Sequence, residues 1–236
     1  MTYAGTIYIA RIMELRKFIR FVFGMVKVNQ GIVEKLQEPE LKAAFPADEY
    51  TTDEYQHSTH RQFVNEIMLS RAVETFDLYV LTMLRLIFIK RPEMLKSEGA
   101  IDVETVFELK AFDDIIRFVA ERKVYELGYK SLRELRKYII TRTGIELFKN
   151  QETFERVLLA SELRNLIAHN DCRVNDLFKR RTAGLPDAGQ LAIAQNGKVE
   201  IPDEWLRRAS YTLDAVVFDF DAAAAPKFGL DTMPAL

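Results

Sequence analysis

Between His60 and Lys90 the apolar residues Phe63, Ile67, Val73, Phe76, Val80, Leu84 and Ile87 recur with spacings mostly of three or four. That period belongs to an α-helix, so the segment predicts one long helix facing a core, with Pro92 placed just beyond its end. The run from Leu78 to Ile89 contains Arg85 and falls short of the roughly 20 residues that a bilayer span needs, so burial in protein explains it better.

Helical signals dominate elsewhere as well. They predict helices over residues 7–25, 32–44, 103–109, 113–127 and 132–141, the last opened by Ser131 with Glu134 three residues on, a capping-box pattern. Asn150 is a good N-cap for a further helix over 151–169, with Phe154, Val157, Leu158, Leu163, Leu166 and Ile167 on its buried side. Two short apolar runs flank Asn196-Gly197, a strong hairpin signal near residues 190–201, and a last helix is expected over 203–223. The expectation is an all-α bundle with one small β-hairpin. It forms a single domain over 1–236, with the helices of 1–50 as a candidate appendage, a bundle core over 56–181, and the hairpin and C-terminal helix over 189–225.

Composition narrows the class of function. The chain has 236 residues, 48% hydrophobic and 29% charged, enough to bury a full core. A formal charge of -2 argues against a basic coat for nucleic acid and confines any such site to a local patch. The single cysteine, Cys172, allows neither an internal disulfide nor a cysteine metal cluster, which makes the reducing cytoplasm the default. Arg11, Glu14, Arg16, Lys17 and Arg20 interrupt the apolar N-terminal stretch, which reads as an amphipathic helix rather than a signal peptide.

One stretch concentrates chemistry. In "SELRNLIAHNDCRVNDLF", residues 161–178, Arg164, Asn165, His169, Asn170 and Asp171 gather where the helix is expected to end. Asn165 and His169 are four apart and share a helix face, while Arg164 points about 140° from His169 and needs its long stem or a widened turn to converge with it. Asn170 suits the left-handed position that closes a helix, leaving His169 in the last turn, where the carbonyl end of the dipole favours the imidazolium. A histidine that gives and takes a proton, beside a guanidinium that clamps phosphate, suits chemistry at a phosphodiester; with RNA, the 2′-hydroxyl can itself attack phosphorus.

"RNLIAHN" followed by "VNDLF" resembles the signature of the HEPN superfamily, the higher eukaryotes and prokaryotes nucleotide-binding domains. That signature is an arginine, a polar residue after it and a histidine a short step further on; Arg164, Asn165 and His169 match it with four residues between Arg164 and His169. The match covers residues 161–178. The resemblance implies an up-and-down helical bundle that dimerises to join two motifs in one cleft. It also implies a metal-independent endoribonuclease of toxin-antitoxin or phage-defence systems, with Arg164, Asn165 and His169 catalytic, no cofactor, and an antitoxin or regulatory protein as a further partner. The alternative is a catalytically inactive dimeric module that binds nucleotide, RNA or a protein.

The same residues have plainer readings. Arg164 could be a surface ion-pair partner, Asn165 a solvated residue, and His169 with Asn170 a C-cap. Asn170, Arg173, Lys179, Arg180 and Arg181 form a local polar and basic stretch that could hold an RNA backbone or simply face water. Cys172 reads as a small buried filler rather than a nucleophile. His57 and His60 have a spacing that could hold a metal, but a solvated helix cap fits them better. Glu74 and Asp77, on the long helix, could orient Arg164 or His169 if the helices pack; surface carboxylates are the simpler expectation.

Overall fold

The computed structural model describes residues 1–36, 57–96, 100–109 and 111–233. Among them are eight α-helices: α1 (Tyr3–Leu36), α2 (His57–Lys90), α3 (Val103–Glu108), α4 (Phe112–Gly128), α5 (Leu132–Thr143), α6 (Gln151–Asn170), α7 (Asp176–Thr182) and α8 (Asp203–Phe228). The helices expected over 7–25 and 32–44 merge into α1, which continues through Gly31 to Leu36; the remainder of the second lies outside the described residues. One glycine costs a helix only about 1 kcal/mol relative to alanine, too little to break it.

The central element is α2, packed against α1, α4, α6 and α8. Val73, Phe76, Val80, Leu84 and Ile87 are all fully buried, as their spacing predicts. Phe63 and Ile67 are not: they are 62% and 41% exposed. The first turns of α2 instead turn polar side chains inward. Gln62 Nε2 donates to the Val199 carbonyl and Asn65 Nδ2 to the Ile201 carbonyl, both at 2.8 Å. The loop before α8 has carbonyls that need donors, and meeting them rotates Phe63 and Ile67 outward.

Helix α6 is apolar on several sides, with Phe154, Val157, Leu158, Leu159, Ala160, Leu163 and Leu166 buried, because α2, α5, α7 and α8 all pack on it. Ile167 is partly buried at its edge. Local chemistry sets the ends: Ser131 and Glu134 form the expected capping box of α5, and the Asn150 side chain accepts from the Thr153 amide at the start of α6. The N-terminus is tied to α8 by polar contacts. Asp221 accepts from the Thr2 amide at 2.9 Å and from the Thr2 hydroxyl at 2.5 Å, and Asp214 accepts from the Tyr8 hydroxyl at 2.9 Å and pairs with Arg16. Gly5 lies so close that a Cβ there would sit 2.5 Å from an Asp221 oxygen.

The segment near 190–201 forms no named strand. Gly197, at φ 81°, closes a turn in which its amide donates to Ala194, and pairing is confined to isolated bridges, Ile193 with Val199 and Arg173 with Lys198. The chain after α6 bonds the other edge of the same segment: Val199 donates to Cys172, and Val174 to Gly197. No helix among the described residues is long and apolar enough to cross a membrane.

Candidate functional site

Helix α6 carries Arg164, Asn165 and His169 and runs unbroken to Asn170, with no widened turn. It closes one residue later than expected. Asn170 stays helical, and the left-handed positions are Asp171, at φ 50°, and Cys172, at φ 58°. Asn170 Nδ2 donates to the Arg173 carbonyl at 2.5 Å, while Cys172 is buried with its Sγ 3.5 Å from the Val199 carbonyl. The turn at 171–172 carries that thiol to the Val199 carbonyl. Two successive non-glycine residues in this region carry backbone strain, offset by what the turn anchors. Lys198 helps, since its ammonium 2.8 Å away holds the Asp171 carboxyl below its usual range.

Arg164 points away from His169, toward α2. Its Nη2 donates to Asp77 Oδ2 at 2.7 Å, and its Nε is buried without a hydrogen-bond partner. Asp77 is therefore an ion-pair partner of the motif rather than a simple surface carboxylate, while Glu74 pairs with Arg71 on its own helix. Burial pushes the Asp77 carboxyl above its ordinary value, the Arg164 charge opposes that rise, and Glu74 adds to it. The pair lies in a cavity of ≈ 380 Å³ between α2, the α4–α5 turn and α6. Tyr129, Lys130, Ser131, Glu134, Glu162, Asn165 and Arg181 also line it.

His169 is exposed and opens onto a second cavity of ≈ 280 Å³, lined also by Glu162, Asn165, Asn170, Asn175, Phe178 and Arg181. Arg164 and His169 thus line separate cavities, whereas Glu162, Asn165 and Arg181 line both. Arg181 and Glu162 form an ion pair at 3.3 Å between them.

The basic stretch divides. Arg173 donates to the Asn196 carbonyl at 2.6 Å, Lys179 lines an apolar groove with Val174 and Leu185, Arg180 is exposed, and Arg181 reaches the two cavities. Helix α7 produces this division, and the sequence reading missed it; the Asn175 side chain, which accepts from the Phe178 amide, is its signal. Tyr129, Lys130 and Glu162 were missed as lining residues, since only the packing of α4 and α5 on α2 and α6 places them there.

Cys172 is buried, and that burial, reinforced by Glu66, pushes its thiol up to about 11, so it is no ready nucleophile. His60 is exposed in the first turn of α2, and the side chain of His57 lies outside the described residues. Among the described residues no group of three or more His, Cys, Asp or Glu is disposed to hold a metal ion. Comparison of the chain with protein-family models, curated proteins and solved structures finds no match.

Proposed function

We propose that this chain is a metal-independent endoribonuclease of the HEPN kind, acting on RNA through Arg164, Asn165 and His169. The observation that carries the reading is the place of Asn165, which lines both the Arg164 cavity and the His169 cavity. A phosphodiester seated over Asn165 would have the guanidinium on one side and the imidazole on the other. A guanidinium has five N–H donors, so Arg164 can keep its bond to Asp77 and still donate to a phosphate oxygen. In the reaction the RNA 2′-oxygen bonds to phosphorus as the bond to the 5′-oxygen breaks. His169 moves the proton between them and Arg164 offsets the charge that develops on the phosphoryl oxygens. A homodimer would set a second Arg-His pair across a two-fold axis, and a toxin of this kind would need an antitoxin or regulatory protein to restrain it.

The test is labelled RNA with the purified protein in EDTA. Cleavage should persist and leave 2′,3′-cyclic phosphate ends, and His169→Ala should slow it by about a hundred- to ten-thousand-fold. Cleavage that stops with EDTA, or survives His169→Ala, would place the chemistry elsewhere. A second reading, a binding module without turnover, is favoured by one observation: the Arg164 charge is already met by Asp77 within the chain. A folded dimer that cuts no RNA would support it.

A further inference from the structure

The α4–α5 turn carries a feature that the catalytic motif does not use. Tyr125 and Tyr129, one helical turn apart at the end of α4, are 68% and 75% exposed. Their rings meet edge to face, with centroids 5.1 Å apart, and the Tyr129 hydroxyl donates to that of Tyr125 at 2.9 Å. Large aromatic rings gain most free energy by burial, yet these two are held in water by each other. An edge-to-face pair covers at most one ring face, so most of the aromatic surface is available for stacking.

Tyr129 also lines the Arg164 cavity, as do Lys130 and Arg181. These cations are only loosely neutralised. Glu134 lies 3.6 Å from Lys130 but accepts from the Ser131 amide and hydroxyl at 2.9 and 2.8 Å, so its carboxylate is committed to the helix cap. In the Arg181–Glu162 pair the arginine is the exposed member and the glutamate the sheltered one. An aromatic face with adjacent solvent-facing cations is the arrangement that takes a base on the ring and a phosphate on the charge.

We propose that Tyr129, braced by Tyr125, is a base-stacking platform for single-stranded RNA at the rim of the Arg164 cavity, with Lys130 and Arg181 contacting the adjoining phosphates. The choice of RNA as ligand rests on the nuclease reading above. A splayed, unpaired nucleotide is required, because bases in a duplex have no free face to offer. The platform would hold the strand beside Arg164 and Asn165 and favour loops over helices as substrate.

The test separates binding from cleavage. A fluorescein-labelled single-stranded oligonucleotide with 2′-O-methyl riboses cannot supply the attacking hydroxyl, so its fluorescence anisotropy with the full chain reports binding alone. Tyr129→Ala should weaken binding by about 5- to 150-fold, the range for loss of one stacked base. Tyr129→Phe should keep most of the affinity, and Lys130→Ala should lower the slope of log affinity against log salt by about 0.7. Tyr129 is exposed, so circular dichroism and thermal unfolding of the variants should match the parent. If Tyr129→Ala weakens binding while unmodified RNA is never cut, the platform stands and the nuclease reading falls. If RNA is cut and Tyr129→Ala binds like the parent, the platform is overturned and the nuclease stands. Failure of the parent to bind the oligonucleotide, or a loss of dimer rather than of binding in Tyr129→Ala, also overturns it.

Discussion

Removing either partner of the Arg164–Asp77 pair should affect stability unequally. The two side chains are 28% and 34% exposed and meet at 2.7 Å. A fully buried pair loses roughly 3–5 kcal/mol when one partner is removed, and an exposed one roughly 0–1 kcal/mol. Arg164→Met should fall between, at about 1–2 kcal/mol, because it leaves a sheltered carboxylate without its counter-charge. Asp77→Asn should differ. Burial raises the Asp77 carboxyl, so the folded chain binds that proton more tightly than the unfolded chain does. Stability is then lost as pH rises through the raised value, and ionised Asp77 is a net cost at neutrality. The amide escapes this cost and can still accept a hydrogen bond, while the long arginine stem lets the guanidinium reach water, so the change should stay within about 0.5 kcal/mol. Urea unfolding at pH 7 measures both variants. For a chain of this size the Arg164→Met loss corresponds to a Tm lower by about 2–8 °C. The deficit should shrink near pH 4, about where carboxylates take up protons. An Asp77→Asn variant as unstable as Arg164→Met at pH 7, or an Arg164→Met deficit independent of pH, would refute the reasoning.

Other substitutions test the packing. Asp221→Ala strips acceptors from the buried Thr2 amide and hydroxyl and should cost about 1–3 kcal/mol in urea, with faster proteolysis within α1; an unchanged midpoint would mean the N-terminal tie contributes nothing. Phe76→Ala should cost about 3–5 kcal/mol and Phe63→Ala less than about 0.5, since one ring is fully buried and the other exposed; equal losses would mean that the stripe is buried along its whole length. Cys172 should resist maleimide in the native chain at pH 7 and react fully in denaturant, because it is both buried and held protonated. Rapid native labelling would contradict that burial.

Where chemistry is local, the sequence was readable. Ser131 with Glu134, and Asn150, signal their helix starts because each cap bonds a backbone group three residues away. The stripe from Val73 to Ile87 was equally legible, since one helix supplies its period. The misreadings share a non-local cause. Phe63 and Ile67 face outward because Gln62 answers a carbonyl 137 residues away, and sequence spacing carries no trace of that. Asp77 and Arg164 are 87 residues apart, so their contact could be offered only on the condition that the helices pack, with a surface carboxylate as the simpler expectation. Helix α7 has only 7 residues, too few to develop a period. The strong Asn196-Gly197 signal gave its turn but no named strands, because the bonds across it stop after Gly197 to Ala194, Ala194 to Lys198 and Glu200 to Ala192.

The central place of α2 has a consequence in time. During synthesis α2 is complete at Lys90, while α8, which covers one of its faces, ends at Phe228. Roughly 140 residues separate the two, and at about 5–20 residues per second the ribosome takes on the order of 7–28 s to supply them. Throughout that interval the face of α2 that α8 covers, where the Tyr79 hydroxyl donates to the Val217 carbonyl, awaits its partner. The docking of α8, rather than the formation of any earlier helix, is therefore the step that completes this core.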